Sequence, residues 1–271
     1  MWQKEILHFV QNDNFEIMFW SRIFSFLAVI WFLVFAELAN YYPAFLLVFG
    51  LLAWLLPAAV LAFWLYRVKR QKLPMHHLAL AFLFFVIGLS FFLPLVDRPS
   101  TRQALIIFSG FLLYFDLSSL PLFVNHHKNY AVGSLEQINL AMLAWSIFLF
   151  SCFFFGWATF LAKIFWPILL AVAGFFFLAF WEMFFLRKID WKKSYQHSLI
   201  LSILAVEFFW AVAIWPVGFV TKGLVFSLLV LFLVFLGHGW LLGTYTRRRF
   251  AGWGVAIGIL IIIILGMARW I

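Results

Sequence analysis

The sequence predicts an all-α, polytopic integral membrane protein: a helical bundle of about nine transmembrane helices, with the N-terminus in the cytoplasm and the C-terminus outside. Hydrophobic residues make up 67% of the chain and charged residues 11%, against about 45–50% and 25% in soluble domains. Mostly apolar runs of about 20 residues, the length that a helix needs to cross a bilayer, recur along almost the whole chain. We therefore expect one transmembrane domain, residues 1–271, and no soluble domain.

The first segment, residues 1–14, is more mixed than the rest. Trp2, Ile6 and Phe9 can share one face of a helix lying in the membrane interface. Asn12-Asp13-Asn14 then interrupts the apolar pattern, and Asp13 with Glu16 resembles a capping box. The sequence therefore predicts an interfacial N-terminal segment, with the first long helix starting near Asp13.

Nine apolar runs follow, joined by short connections. Because short connections force neighbouring helices to run antiparallel, the runs are expected to pack as one bundle. The predicted spans are 17–39, 44–66, 77–96, 103–124, 138–161, 164–186, 198–219, 223–244 and 251–270.

The basic residues set the orientation, because Lys and Arg are enriched in cytoplasmic loops. With the N-terminus inside, the clusters Arg67–Lys72, Arg187–Lys193 and Arg247–Arg249 all fall on the cytoplasmic side. The basic residues left outside are Arg98, Arg102, Lys163, Lys222 and Arg269. The net charge of +9 is thus explained by loops between spans. We expect the cell membrane as location and the bilayer as partner, with anionic lipid headgroups at the basic loops and no nucleic acid.

Ionisable residues inside spans are the best functional candidates, because a charge at a helix centre costs about 2.5–3.5 kcal/mol on insertion scales. Asp116 and Glu207 lie about nine or more residues from the nearer ends of their predicted spans, and His238 lies in the inner half of its span. These three predict a proton- or cation-handling site in a small-solute or ion transporter, which Ser118 and Ser119 could line. The alternative is that each acid is a neutral hydrogen-bonding contact between helices.

A second interpretation places the chemistry at the membrane surface. Glu182 lies about one turn from Arg187, and the histidines fall on the cytoplasmic side or in the inner half of the membrane. These positions would suit an enzyme acting on a lipid at the cytoplasmic face. The sequence contains no P-loop, His-Glu-x-x-His or Gly-x-Gly-x-x-Gly motif, so no catalytic residue is assigned. A third interpretation is a non-catalytic scaffold or subunit.

Neither a metal site nor a cofactor is expected. Adjacent histidines such as His76 and His77 point about 100° apart on a helix, so they cannot share a metal as an i, i+4 pair does. The single cysteine, Cys152, excludes a disulfide within the chain.

Two glycine pairs predict a helix contact. Gly239 and Gly243 lie four residues apart, as do Gly254 and Gly258, on either side of the Arg247–Arg249 turn. Small residues at this spacing let helix backbones approach closely. We expect the last two spans to pack as a tight hairpin through these glycines.

Overall fold

The computed structural model describes residues 2–70, 76–125, 134–160, 165–187, 189–241, 243 and 247–268. These residues contain no β-strand and form helices throughout, which confirms the all-α prediction. The helices are α1 (Trp2–Tyr41), α2 (Leu46–Arg70), α3 (His76–Phe92), α4 (Pro99–Asn125), α5 (Ser134–Phe160), α6 (Phe165–Leu186), α7 (Trp191–Ala213), α8 (Phe219–Leu241) and α9 (Arg247–Met267).

Seven of the described helices are long and apolar enough to cross a membrane, so a multi-span architecture is confirmed. Helix α3 continues into a short 3-10 turn, Leu93–Leu95, and the apolar stretch Ala79–Leu95 covers both; α9 contains the apolar stretch Ala251–Met267. Nine crossings and their orientation stay predictions.

Helix α1 differs from its prediction. It runs without a break from Trp2 to Tyr41, so the helix start predicted after Asn12 is wrong. The physical reason is that the helix contains no Gly or Pro, and an Asn or Asp in a helix interior costs less than about 1 kcal/mol relative to Ala. The interfacial position of residues 1–14 stays a prediction.

Helices α7 and α8 begin and end earlier than predicted. Helix α7 ends at Ala213, because Pro216 has no N–H to donate and disfavours helical geometry at the preceding Trp215. The chain turns there, and α8 begins at Phe219 instead of residue 223. The shift changes the depth of every candidate residue on these two helices.

The chain forms two compact units. The first unit is Met1–Ala79 with Val96–Ala141, and the second is Leu80–Leu95 with Met142–Ile271. In the first unit α1 packs antiparallel to α2, and α4 packs against both. Trp31 Nε1 donates a 2.7 Å hydrogen bond to the Leu52 carbonyl. The expectation of a single transmembrane domain stays a prediction.

The contacts between α1 and α4 fix their register. Arg102, near the start of α4, donates to Asn40 Oδ1 near the end of α1 and to the Val96 carbonyl. Further along α4, a Cβ on Gly110 would lie 3.0 Å from Leu33 and 3.5 Å from Val29. Helix α4 therefore runs antiparallel to α1.

The second unit is built around phenylalanine. Phe155 of α5 stacks on Phe209 of α7 with ring centroids 4.3 Å apart, and Phe226 of α8 meets both rings edge-on. Phe176 of α6 adds another edge contact, 5.3 Å from Phe226. One ring from each of α5 to α8 thus joins the middle of this unit.

The closest backbone approach described for a glycine of the second unit is that of Gly223 in α8. A Cβ at this position would lie 2.7 Å from both the Cα and the N of Cys152 in α5. Only a residue without a side chain allows that distance, because real Cβ contacts under 3.0 Å essentially never occur. The buried Cys152 is thus part of a helix contact.

Helices α8 and α9 pack together as the hairpin prediction expected, but the contact is largely aromatic. The rings of Phe235 and Trp253 lie 5.4 Å apart, and a Cβ on Gly254 would lie 3.5 Å from Phe232.

The other three glycines of the predicted hairpin contact, Gly239, Gly243 and Gly258, have different surroundings. Gly243 lies after the end of α8 with a φ of +64°, a left-handed conformation that glycine adopts readily. A Cβ added to Gly243 or Gly258 would have no described neighbour within 4 Å, so these two glycines do not line the contact. Gly239 is buried.

Candidate functional site: a buried acid on helix α4

Asp116 lies inside the first unit. It is nine residues before the end of α4, a depth of about 13 Å. The residue is 2% exposed, and its Oδ2 atom has no hydrogen-bond partner among the described residues. An unpartnered carboxyl oxygen at this depth is costly, so this position needs an explanation beyond packing.

The register between α1 and α4 shows what lies at the same depth. Asp116 is six residues beyond Gly110, or about 9 Å further along α4. Because α1 runs antiparallel to α4, the same direction on α1 leads toward lower residue numbers. Ser25 lies about 6 Å from Val29 and about 12 Å from Leu33 in that direction, a mean of about 9 Å. Asp116 and the fully buried Ser25 are therefore at about the same level of the first unit.

The serine hydroxyls at this level are held by backbone carbonyls of their own helices. Ser25 donates to the Ser21 carbonyl at 2.9 Å, and Ser119 donates to the Asp116 carbonyl at 2.8 Å. Each hydroxyl oxygen can still accept a hydrogen bond, because it has two lone pairs. Ser119 lies within one turn of the acid and its hydrogen bond goes to the backbone of Asp116; that it lines a site stays a prediction.

Glu207 occupies a different environment. It lies six residues before the end of α7, about 9 Å by the helical rise, and its side chain is exposed. The predicted depth of nine or more residues is wrong, because it placed the end of α7 beyond Pro216. The exposed Glu207 side chain faces away from the interior of the second unit.

His238 lies in the last turn of α8 and is half-buried. Because Gly237 faces Leu201 and Phe226 faces Phe209, α7 and α8 run antiparallel. Counting from these two contacts puts Glu207 and His238 about 10–15 Å apart along the helix axes. They do not share a pocket.

Three residues of the lipid-enzyme interpretation, Glu182, His197 and His238, lie at one end of the second unit. Glu182 is buried four residues before the end of α6. His197 contacts the Trp240 ring at 5.0 Å, with its Nδ1 2.7 Å from the Lys193 carbonyl. Within the described part of the chain no three His, Cys, Asp or Glu residues could hold a metal. His126 and His127 lie outside it.

A second feature of the first unit was not predicted. Helices α1 and α2 leave an aromatic groove of about 450 Å³ between them. At one end stands Arg67, whose guanidinium lies over the rings of Phe63 and Trp64 at 5.0 and 5.6 Å. The groove is lined by Trp20, Ser21, Phe24, Ala59, Val60, Phe63, Trp64 and Arg67. The spacing of Phe63, Trp64 and Arg67 was visible in the sequence, but the α1 wall depends on helix register.

No protein-family model, curated protein or solved structure matches this chain. Its function has to be inferred from its own residues and from the positions that the fold gives them.

Proposed function

We propose that this multi-span membrane protein transports a small solute or ion, and that Asp116 is the acid that takes up and releases a proton or small cation. The observation that supports this is the buried Asp116 carboxyl group with its unpartnered Oδ2. Ionisable residues inside membrane helices commonly mark ion and proton pathways.

Packing alone explains Asp116 less well. An acid that joins helices must form a hydrogen bond to a neighbouring helix, and Oδ2 has none among the described residues. Snorkelling does not explain the acid either, because a short Asp side chain about 13 Å from the helix end does not reach the interface. A site that binds and releases a cation leaves such an oxygen unpartnered when it is empty.

The nearby serines suit this role. A carboxylate and hydroxyl oxygens are the hard ligands that protons and small cations prefer. The Ser119 hydroxyl lies within one helical turn of Asp116, and Ser25 lies on α1 at the same level as Asp116. Each hydroxyl oxygen still has a lone pair with which to accept. The lipid-enzyme interpretation has less support: no described nucleophile is hydrogen-bonded to His238 or His197, as covalent catalysis requires.

The test is ion flux into liposomes containing the purified protein. A pH-sensitive dye trapped in the lumen reports proton movement while a K⁺ gradient and valinomycin set the membrane potential. A Na⁺-sensitive dye in a second preparation reports Na⁺ movement under the same potential. We expect wild-type flux above that of protein-free liposomes, loss of that excess in Asp116→Asn, and retention of a measurable part in Asp116→Glu.

The matched control is Asp97→Asn, the same chemical change at an exposed position of the first unit. It should retain wild-type flux. Thermal unfolding of each purified variant checks that it folds. Wild-type flux no greater than that of empty liposomes, or undiminished flux in a folded Asp116→Asn variant, would overturn the proposal.

A further inference from the structure

The aromatic groove between α1 and α2 opens on the outside of the helix pair. The side chains of Trp20, Phe24 and Phe63 line it and are 55%, 54% and 52% exposed. Trp64 lines it too but is only 3% exposed. The groove thus has a fixed, buried base and two exposed apolar walls. In a membrane those walls face lipid.

The groove begins where two spans end. Arg67 begins the basic cluster Arg67–Lys72 that follows the second predicted span, 44–66, and Trp20 is the fourth residue of the first predicted span, 17–39. From Arg67 to Ala59 the groove extends eight residues along α2, about 12 Å. One end therefore lies at headgroup depth, where Trp residues are enriched, and the other lies among acyl chains.

Two aromatic rings hold the Arg67 side chain in place. Phe63 and Trp64 precede it by four and three residues on α2, and both rings lie under its guanidinium. The structure records no ion pair for Arg67 within the residues that it describes. A guanidinium carries five N–H donors in a rigid fork that matches the oxygens of a phosphate group.

These observations together specify an occupant with an anionic head and an apolar body. We infer that the groove binds one anionic phospholipid, with its phosphate on Arg67 and an acyl chain between the α1 and α2 walls. A free phosphate would bind the Arg67 guanidinium but leave the apolar groove unfilled. A phospholipid would bind the guanidinium through its phosphate and fill the groove with an acyl chain. The end carrying Arg67 is also the one that the charge distribution predicts to be cytoplasmic, the leaflet rich in anionic lipid. The inference does not depend on the transport proposal.

The experiment is native mass spectrometry of the purified full-length protein in detergent. Three probes are titrated separately: dioleoylphosphatidylglycerol, dioleoylphosphatidylcholine and inorganic phosphate. We expect one phosphatidylglycerol to bind more tightly than further copies, phosphatidylcholine to bind more weakly, and phosphate alone not to be retained. Losing one basic contact near the membrane surface should weaken that first binding step about fivefold or more in Arg67→Gln.

Two control pairs separate the groove from general effects. Arg22→Gln removes an exposed charge on α1 that does not line the groove, and it should leave the affinity unchanged. Ala59→Trp fills the groove and should weaken binding, whereas Ala58→Trp places the same ring at an exposed neighbouring position outside the lining and should not.

The outcomes are decisive in both directions. Selective loss in Arg67→Gln and Ala59→Trp supports the inference. Equal binding of both lipids, retention of phosphate alone, or equal weakening by Arg22→Gln or Ala58→Trp would overturn it. Full phosphatidylglycerol affinity in Arg67→Gln would do the same.

Discussion

Replacing Gly223 by alanine is expected to lower the stability of the second unit by about 2 kcal/mol. The added Cβ would lie 2.7 Å from the backbone N and Cα of Cys152, so α5 or α8 must move as a whole. Overpacking a well-packed interior costs about 1–3 kcal/mol, and a backbone clash belongs at the upper end. The intrinsic preference of a helix for Ala over Gly, about 1 kcal/mol, reduces the loss.

Thermal unfolding of the purified protein in detergent, followed by circular dichroism, measures the effect. A loss of about 2 kcal/mol corresponds to a fall in Tm of about 4–8 °C for a unit of this size. The matched control is Gly174→Ala in α6, where nothing lies within 4 Å of the new Cβ. That variant should be as stable as wild type or more stable, by up to about 1 kcal/mol.

A second variant identifies which atoms clash. Removing the Cys152 sulfur leaves the backbone atoms in place, so Cys152→Ala should not restore the stability of Gly223→Ala. If Gly223→Ala unfolds at or above the wild-type temperature, the backbones of α5 and α8 are not in contact and the reasoning fails. If Cys152→Ala fully restored the stability of Gly223→Ala, the clash would involve only the Cys152 side chain and not its backbone.

Three further predictions use the same or simpler assays. Arg102→Gln should lower stability by about 1–3 kcal/mol because it removes charged hydrogen bonds to Val96 and Asn40; the exposed Arg98→Gln should change it by less than about 0.5 kcal/mol, and equal losses would refute a specific role. Trp31→Phe keeps an aromatic ring but removes the indole N–H that donates to the Leu52 carbonyl, costing about 1 kcal/mol, whereas the exposed Trp210→Phe should be neutral. Reporter fusions after Lys72, Lys193 and Arg249 should all report the cytoplasm; one opposite result would exclude the nine-span topology.

Apolar run length was enough to predict the helices, because each span must satisfy its own backbone hydrogen bonds in lipid. Their ends were harder. Asn12–Asn14 suggested a break that α1 does not have, since weakly unfavourable residues rarely end a long helix by themselves. Pro216 was a stronger signal than the apolar run around it, and α7 ends at Ala213, two residues before Trp215.

The position of Asp116 deep in one apolar run could be predicted from the sequence. Contacts that require the register between two helices could not. Asp116 could be identified from its distance to the ends of one apolar run. The groove at Arg67 requires the register of α1 against α2, and the contact of Gly223 with Cys152 requires that of α5 against α8. Neither register follows from hydrophobicity, because side-chain packing sets it.

The contrast between Asp116 and Glu207 shows why depth and burial must be considered together. Both are acids within apolar helices, yet Glu207 is exposed and about 9 Å from a helix end. Asp116 is buried about 13 Å from the nearer end of α4, with an unpartnered oxygen. The exposed Glu207 needs no partner inside its unit, and snorkelling from either distance is beyond the reach of an acidic side chain. Neither exposure nor snorkelling accounts for Asp116, and the carboxyl group on α4 is therefore the place where a substitution best separates transport from packing.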